Sequence, residues 1–283
     1  MSNFSKISKS VKKSLCVLAS ASSIFSILPT AMAMKPAPKT NLSKKSISEL
    51  ELTELGKMVL LHKYVQECLE KSKTALQEKY DLFKKLFLKE KGYNYYKLLE
   101  FKKNFEKFLE ESIKHFEKSN ADEINFHISH KYPKGIFELY QQYLEQTGIG
   151  NCRIGMAAIN CKATELKLKV CMIRFCTISK LPIHSVIIVK DGDGRIYLFD
   201  YLDALYTVLD DKNYTPIFLS NLLGEKSLKD YLRKILPSDG TKILVNLVDS
   251  YGVCDSVNNH TVSKDNLGNL PKDILDYVES IRY

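Results

Sequence analysis

No tryptophan occurs in this chain, and that absence carries no mechanism of its own. Other absences say more. There is no G-x-S-x-G turn, no P-loop and no G-x-G-x-x-G run, so nothing points to a serine-elbow hydrolase or a nucleotide-binding fold. The seven cysteines, at 16, 68, 152, 161, 171, 176 and 254, include no C-x-x-C pair, and no disulfide connectivity is readable from them. No RNP, zinc-finger or helix-turn-helix pattern is present, and no nucleic-acid partner is expected. Internal repeats and low-complexity segments are also missing. The one apolar stretch near the N-terminus, Leu15 to Leu28, is Ser-studded and too short for a stable membrane span.

What is present is ordinary for a folded soluble protein: 45% hydrophobic and 27% charged residues over 283 positions, enough for one large domain or two modest ones. Lys6, Lys9, Lys12 and Lys13 precede the apolar stretch, and Ala31-Met32-Ala33 follows Pro29. This order predicts a secretory signal peptide over 1–33, and with it a secreted or periplasmic protein. Cleavage would remove four lysines and lower the formal charge from +9 to about +5, spread over lysine-rich helices as a solvated face. A leader containing Pro36 and Pro38 is expected over 34–45.

Helical periodicity then begins. Leu55, Met58, Leu61, Val65 and Leu69 recur at three- and four-residue steps, continued by Leu76, Tyr80, Phe83 and Phe87. After a break near Gly92 come Leu98, Phe101, Phe105, Phe108, Ser112 and Phe116. These stripes predict a helical subdomain over 46–131, open as to role: a packed subdomain, a prosegment or a partner-binding arm. The remainder, 132–283, reads as α+β. Helices are expected at Ile136–Leu144, Cys152–Glu165, Ser227–Leu236 and Lys272–Arg282. Strands are expected at Leu166–Phe175, His184–Val189, Arg195–Asp200 and Lys242–Val248, with a hairpin turn at Asp191-Gly-Asp-Gly194.

Cys152 follows Gly148-Ile-Gly-Asn151 and opens a helix of small residues. A helix N-terminus favours negative charge, so a thiolate there is stabilised, and the thiolate is the nucleophile. Asn151 suits the N-cap. His184 opens a strand, and a hairpin centred on Gly192-Asp193 puts it opposite Tyr201, one residue from Asp200. Asp200 would then orient the imidazole, with Asp203 as a rival. His127 and His130 form a common H-x-x-H spacing without a cysteine. The Asp191 turn lacks a terminal glutamate, since residue 202 is Leu. No metal or cofactor is expected.

From Gly150 to Asp203 the chain resembles the papain-like and transglutaminase-like thiol enzymes. G-N-C-x-x-x-x-A and then H-S-V-I-I-V-K-D-G-D-G-R-I-Y-L-F-D stand in their order of Cys, His and Asp. Exported bacterial effector proteases share the broad pattern. The resemblance implies an antiparallel sheet carrying a nucleophile-bearing helix, and acyl transfer on a protein amide, with host-cell proteins among the substrates. It also implies an oxyanion donor at Gln146, six residues before Cys152, with Gln141 and Gln142 as alternatives. The chain departs from the pattern where Arg153 and Ser185 replace the aromatics that often follow the Cys and His. Those departures keep open a second reading, a catalytically inactive thiol-enzyme-like fold used for protein binding.

Overall fold

The computed structural model describes residues 53–92, 94–121, 134–179, 182–219, 224–248 and 254–281. The signal peptide, the leader, the domain boundary at 131/132 and the His127/His130 pair lie outside them.

Helix α1, Glu54–Lys91, starts at Thr53, whose hydroxyl accepts the Gly56 N–H at 3.2 Å, and stops at Gly92. Helix α2, Tyr95–Ser119, starts at Asn94, which caps Lys97 N–H at 2.9 Å. Each cap satisfies a backbone donor that the first turn leaves unpaired. Tyr80 of α1 sits edge-on to Phe101 and Phe105 of α2, with ring centroids 5.2 Å apart in both pairs. The α2 stripe departs from expectation in its second half. Leu109 and Ile113 continue the fully buried face from Phe105, while Ser112 is only half-buried and donates to Phe108 O. The four-residue step from Phe105 wins because it keeps branched apolar side chains inward.

Helix α3, Lys134–Thr147, and helix α4, Cys152–Glu165, lead into a six-stranded antiparallel sheet. Its strands are β1 Lys169–Cys176, β2 Pro182–Lys190, β3 Ile196–Phe199, β4 Ile217–Leu219, β5 Ile243–Val248 and β6 Cys254–Val262, in the order β4-β3-β2-β1-β5-β6. The β2–β3 hairpin pairs Ile187 with Phe199 and Lys190 with Ile196. Three elements lie beyond what periodicity indicated: β4, β6 and helix α5, Tyr201–Leu209. Asp200 does not end β3. It N-caps α5, accepting from Leu202 N and Asp203 N at 3.1 Å each. Helix α6, Gly224–Ile235, and helix α7, Leu270–Ser280, complete the chain.

Strand alternation divides the interior in two. Val170, Met172, Ile187, Val189 and Phe199 join the apolar faces of α1 to α5. Cys171, Ile173, Val186, Ile188 and Leu198 join α6 and α7. Helices therefore cover both faces of the antiparallel sheet, and the fold is a mixed α+β one. Each fully buried Leu or Phe in these layers stabilises by about 1.5–3 kcal/mol. Among the described residues, no helix is long and apolar enough to cross a membrane.

Candidate active site

Cys152 is the first residue of α4. Asn151 precedes it in extended conformation and accepts the Ile154 N–H at 3.0 Å. Two glycines fix how this helix start is held. Gly148 has φ +69°, and a Cβ there would lie 2.6 Å from the Lys71 carbonyl oxygen of α1. Gly155, one turn into α4, lies so close to Tyr201 that a Cβ would fall 1.9 Å from its ring. Tyr201 is pinned in turn by a 2.7 Å hydrogen bond with Ser72. The nucleophile candidate thus sits on a helix wedged between α1 and α5, and its thiol is free and half-buried.

His184 lies near the start of β2, at the end of the sheet where antiparallel β3 finishes. Its ring stacks on Phe175, the cross-strand partner, at 6.1 Å and 23°. Nε2 is 3.0 Å from Asp200 Oδ2, and Cys152 is a close enough neighbour to act on the ring. With Nε2 committed to Asp200, Nδ1 is the nitrogen left for a further partner. The His184 side chain is 16% exposed and that of Asp200 7%.

Asp200 is saturated. Oδ1 takes the two α5 N–H groups, and Oδ2 takes His184 and the Tyr231 hydroxyl, the latter at 2.8 Å. Burial opposes its charge, but His184, Tyr231 and the helix N–H groups outweigh burial and hold the carboxyl below its ordinary range. Burial likewise opposes the imidazolium. The Asp200 charge and hydrogen bond, joined by Cys152, win and raise the His184 pKa well above 6.5. Tyr231 answers to the same environment: burial, then the Asp200 charge, push its phenol well above 10.

A cleft of about 630 Å³ opens at Cys152. Asn151, Cys152, Ile183 and Leu202 line one side, and the charged face of α2 lines the other, with Glu100, Lys103, Asn104, Glu106, Lys107 and Glu110. The two sides are tied together where the Asn151 amide donates to Glu110 and where Arg153 meets Glu117 at 2.8 Å.

The sequence-derived residues fare differently. Cys152, His184 and Asp200 come together. Asp203 does not join them; its carboxylate meets Lys234 at 3.2 Å near the surface. Gln146 is exposed on the last turn of α3 and is not among the cleft residues, because Leu144 holds the inward face of that turn. Gln141 bonds Glu145 at 3.1 Å, and Gln142 is exposed. None of the three lines the cleft. Sequence reasoning missed Tyr231 and Glu106. Tyr231 shares the apolar stripe of α6 with Leu228 and Leu232 and reads as core. Glu106 is one of many acids on a lysine- and glutamate-rich helix. No local signal marks either.

Compared with protein-family models, curated proteins and solved structures, the chain matches none.

Proposed function

We propose that this chain is a thiol acyl-transfer enzyme acting on protein amides, built on a papain-like or transglutaminase-like core and exported through an N-terminal signal. The observation that carries the reading is a single imidazole held by a saturated, buried carboxylate and neighboured by a thiol at a helix N-terminus.

In this reading Cys152 sulfur, as thiolate, attacks the amide carbonyl carbon, and the carbonyl π pair moves to oxygen. The His184 imidazolium gives its proton to the leaving nitrogen as the C–N bond breaks, leaving a thioester. Asp200 fixes the ring and stabilises its cationic form. Neutral His184 then takes a proton from the acceptor that attacks the thioester. The Cys152 thiolate and the imidazolium are regenerated. Water as acceptor makes a peptidase or deamidase; an amine makes a transglutaminase. The exposed Ile183 and the charged wall of α2 flank the cleft, which supports a protein substrate, host-cell proteins included.

The test offers a casein substrate and follows peptide release, ammonia release and incorporation of a fluorescent cadaverine. Cys152→Ala and His184→Ala are each expected to abolish whichever signal the wild type gives. Full activity in Cys152→Ala sinks the proposal.

One observation favours a second reading, an inactive fold used as a protein-binding module. The three candidate oxyanion glutamines stand away from the cleft. That reading predicts a Cys152 no more reactive to iodoacetamide at neutral pH than a simple alkyl thiol.

A further inference from the structure

Glu106 is a carboxylate in the wrong place for a structural role. It projects from α2 into the cleft that holds Cys152. Its one side-chain hydrogen bond among the described residues, from the Tyr206 hydroxyl, is long at 3.4 Å, and that hydroxyl also donates to Lys102 O at 3.1 Å. No ion-pair partner meets it within 4 Å among the described residues, although eleven other side-chain carboxylates among them lie that close to a lysine or arginine. Burial pushes its carboxyl above the ordinary range; His184 is the neighbour that most pulls it back, followed by Tyr206 and Lys102. The Lys102 amine is turned onto the Tyr206 ring, 4.4 Å from its centroid. The other acids on this wall are differently placed. Glu110 is engaged by Asn151 and Arg153, and Glu100 is exposed. Lys103 and Lys107 on the same wall are also exposed, where water and salt screen them.

A partly desolvated carboxylate with no cation at ion-pair distance is costly unless something supplies one. We propose that Glu106 is a specificity-determining residue that binds a cationic group of the substrate, an alkylammonium or guanidinium adjoining the amide that Cys152 attacks. The inference rests on the thiol-enzyme reading and narrows its substrate class to lysine- or arginine-bearing polypeptides. Such a group enters from the cleft, replaces water at Glu106, and sets the neighbouring carbonyl against Cys152. Binding of this kind lowers KM for cationic substrates and leaves neutral ones untouched.

The test needs no known substrate. Cys152 is alkylated with 2-bromoethylamine, which is cationic, and with iodoacetamide, which is neutral, at fixed pH and ionic strength. In each case the sulfur displaces halide. The ratio of the two rates is normalised to that of free cysteine. The wild-type ratio is expected to exceed that of Glu106→Gln by about fivefold, the size of one charge about 4 Å away in a water-filled cleft. Raising the salt concentration should lower the wild-type ratio toward that of the variant. A wild-type ratio equal to that of free cysteine, or an unchanged ratio in Glu106→Gln with Cys152 still reactive, overturns the assignment of Glu106 alone. A Cys152 inert to both reagents overturns the thiol-enzyme reading, and this inference with it.

Discussion

Asp200 does two jobs with one carboxylate. Oδ1 caps a helix and Oδ2 holds His184, so its ionised state is part of the fold as well as of the site. The pH consequences have opposite signs. The pKa of His184 is raised, so its contribution to stability is complete below the unfolded value of about 6.5 and is lost as pH rises through the folded value. The pKa of Asp200 is lowered, so its contribution is complete above the ordinary carboxylate value and is lost as pH falls through the folded one. Asp200→Asn is therefore expected to cost about 3–5 kcal/mol near neutrality, as when one partner of a buried pair is removed. The gap to wild type should narrow toward both acid and alkaline pH in denaturation curves taken across the range. Tyr231→Phe removes one donor from the same carboxylate. It is expected to cost about 1–3 kcal/mol and to move the acid-unfolding midpoint to higher pH; an unmoved midpoint would show that the hydroxyl does not act through Asp200.

At the scale of elements, the decisive contact is α4 against α5. Gly155→Ala drives a methyl group into the Tyr201 ring, so the two helices must part. The expected loss is at least about 2 kcal/mol, with slower alkylation of Cys152 as α4 shifts. Unaltered stability and reactivity would mean that the wedge does not position the thiol. How legible these elements were follows from their chemistry. Helix α4 spans Cys152–Glu165, as expected, because Asn151 and the glycines punctuate its start. The β2–β3 hairpin was legible from alternation around Asp191–Gly194. Helix α5 was not: Tyr201, Leu202, Ala204, Leu205, Tyr206, Val208 and Leu209 are all buried, and its polar stripe is only Asp203 and Thr207, too short to betray its period. Alternation carries the expected strand through Asp200, the residue that in fact caps this helix. Strand β4 is three residues long, and β6 is mostly polar in sequence; neither offers a run that alternation can detect. The site was legible where chemistry and punctuation coincide, at Cys152 and His184. It was illegible where a side chain arrives from a distant helix, as Tyr231 and Glu106 do.

Across the whole molecule, residues 54–119 are not an appendage. Leu61, Tyr80, Phe101 and Phe105 belong to the same apolar cluster as Ile154, Met172, Ile187 and Tyr201. A fragment beginning at residue 134 would bare that face of the sheet. It is expected to keep helical circular dichroism, lose its near-ultraviolet signal and bind ANS, as loosely packed states do. A fragment with sharp thermal unfolding and a reactive Cys152 would instead mark the N-terminal helices as dispensable.

The double employment of Asp200 also bears on how such a site decays over generations. Cys152 caps no helix with its side chain, so in the proposed enzyme its loss costs chemistry more than folding. Asp200 is retained by selection for folding even after chemistry has ceased to matter. Among descendants of this fold, a persistent aspartate after the third strand would testify to a working helix start, and only the cysteine would testify to a working enzyme.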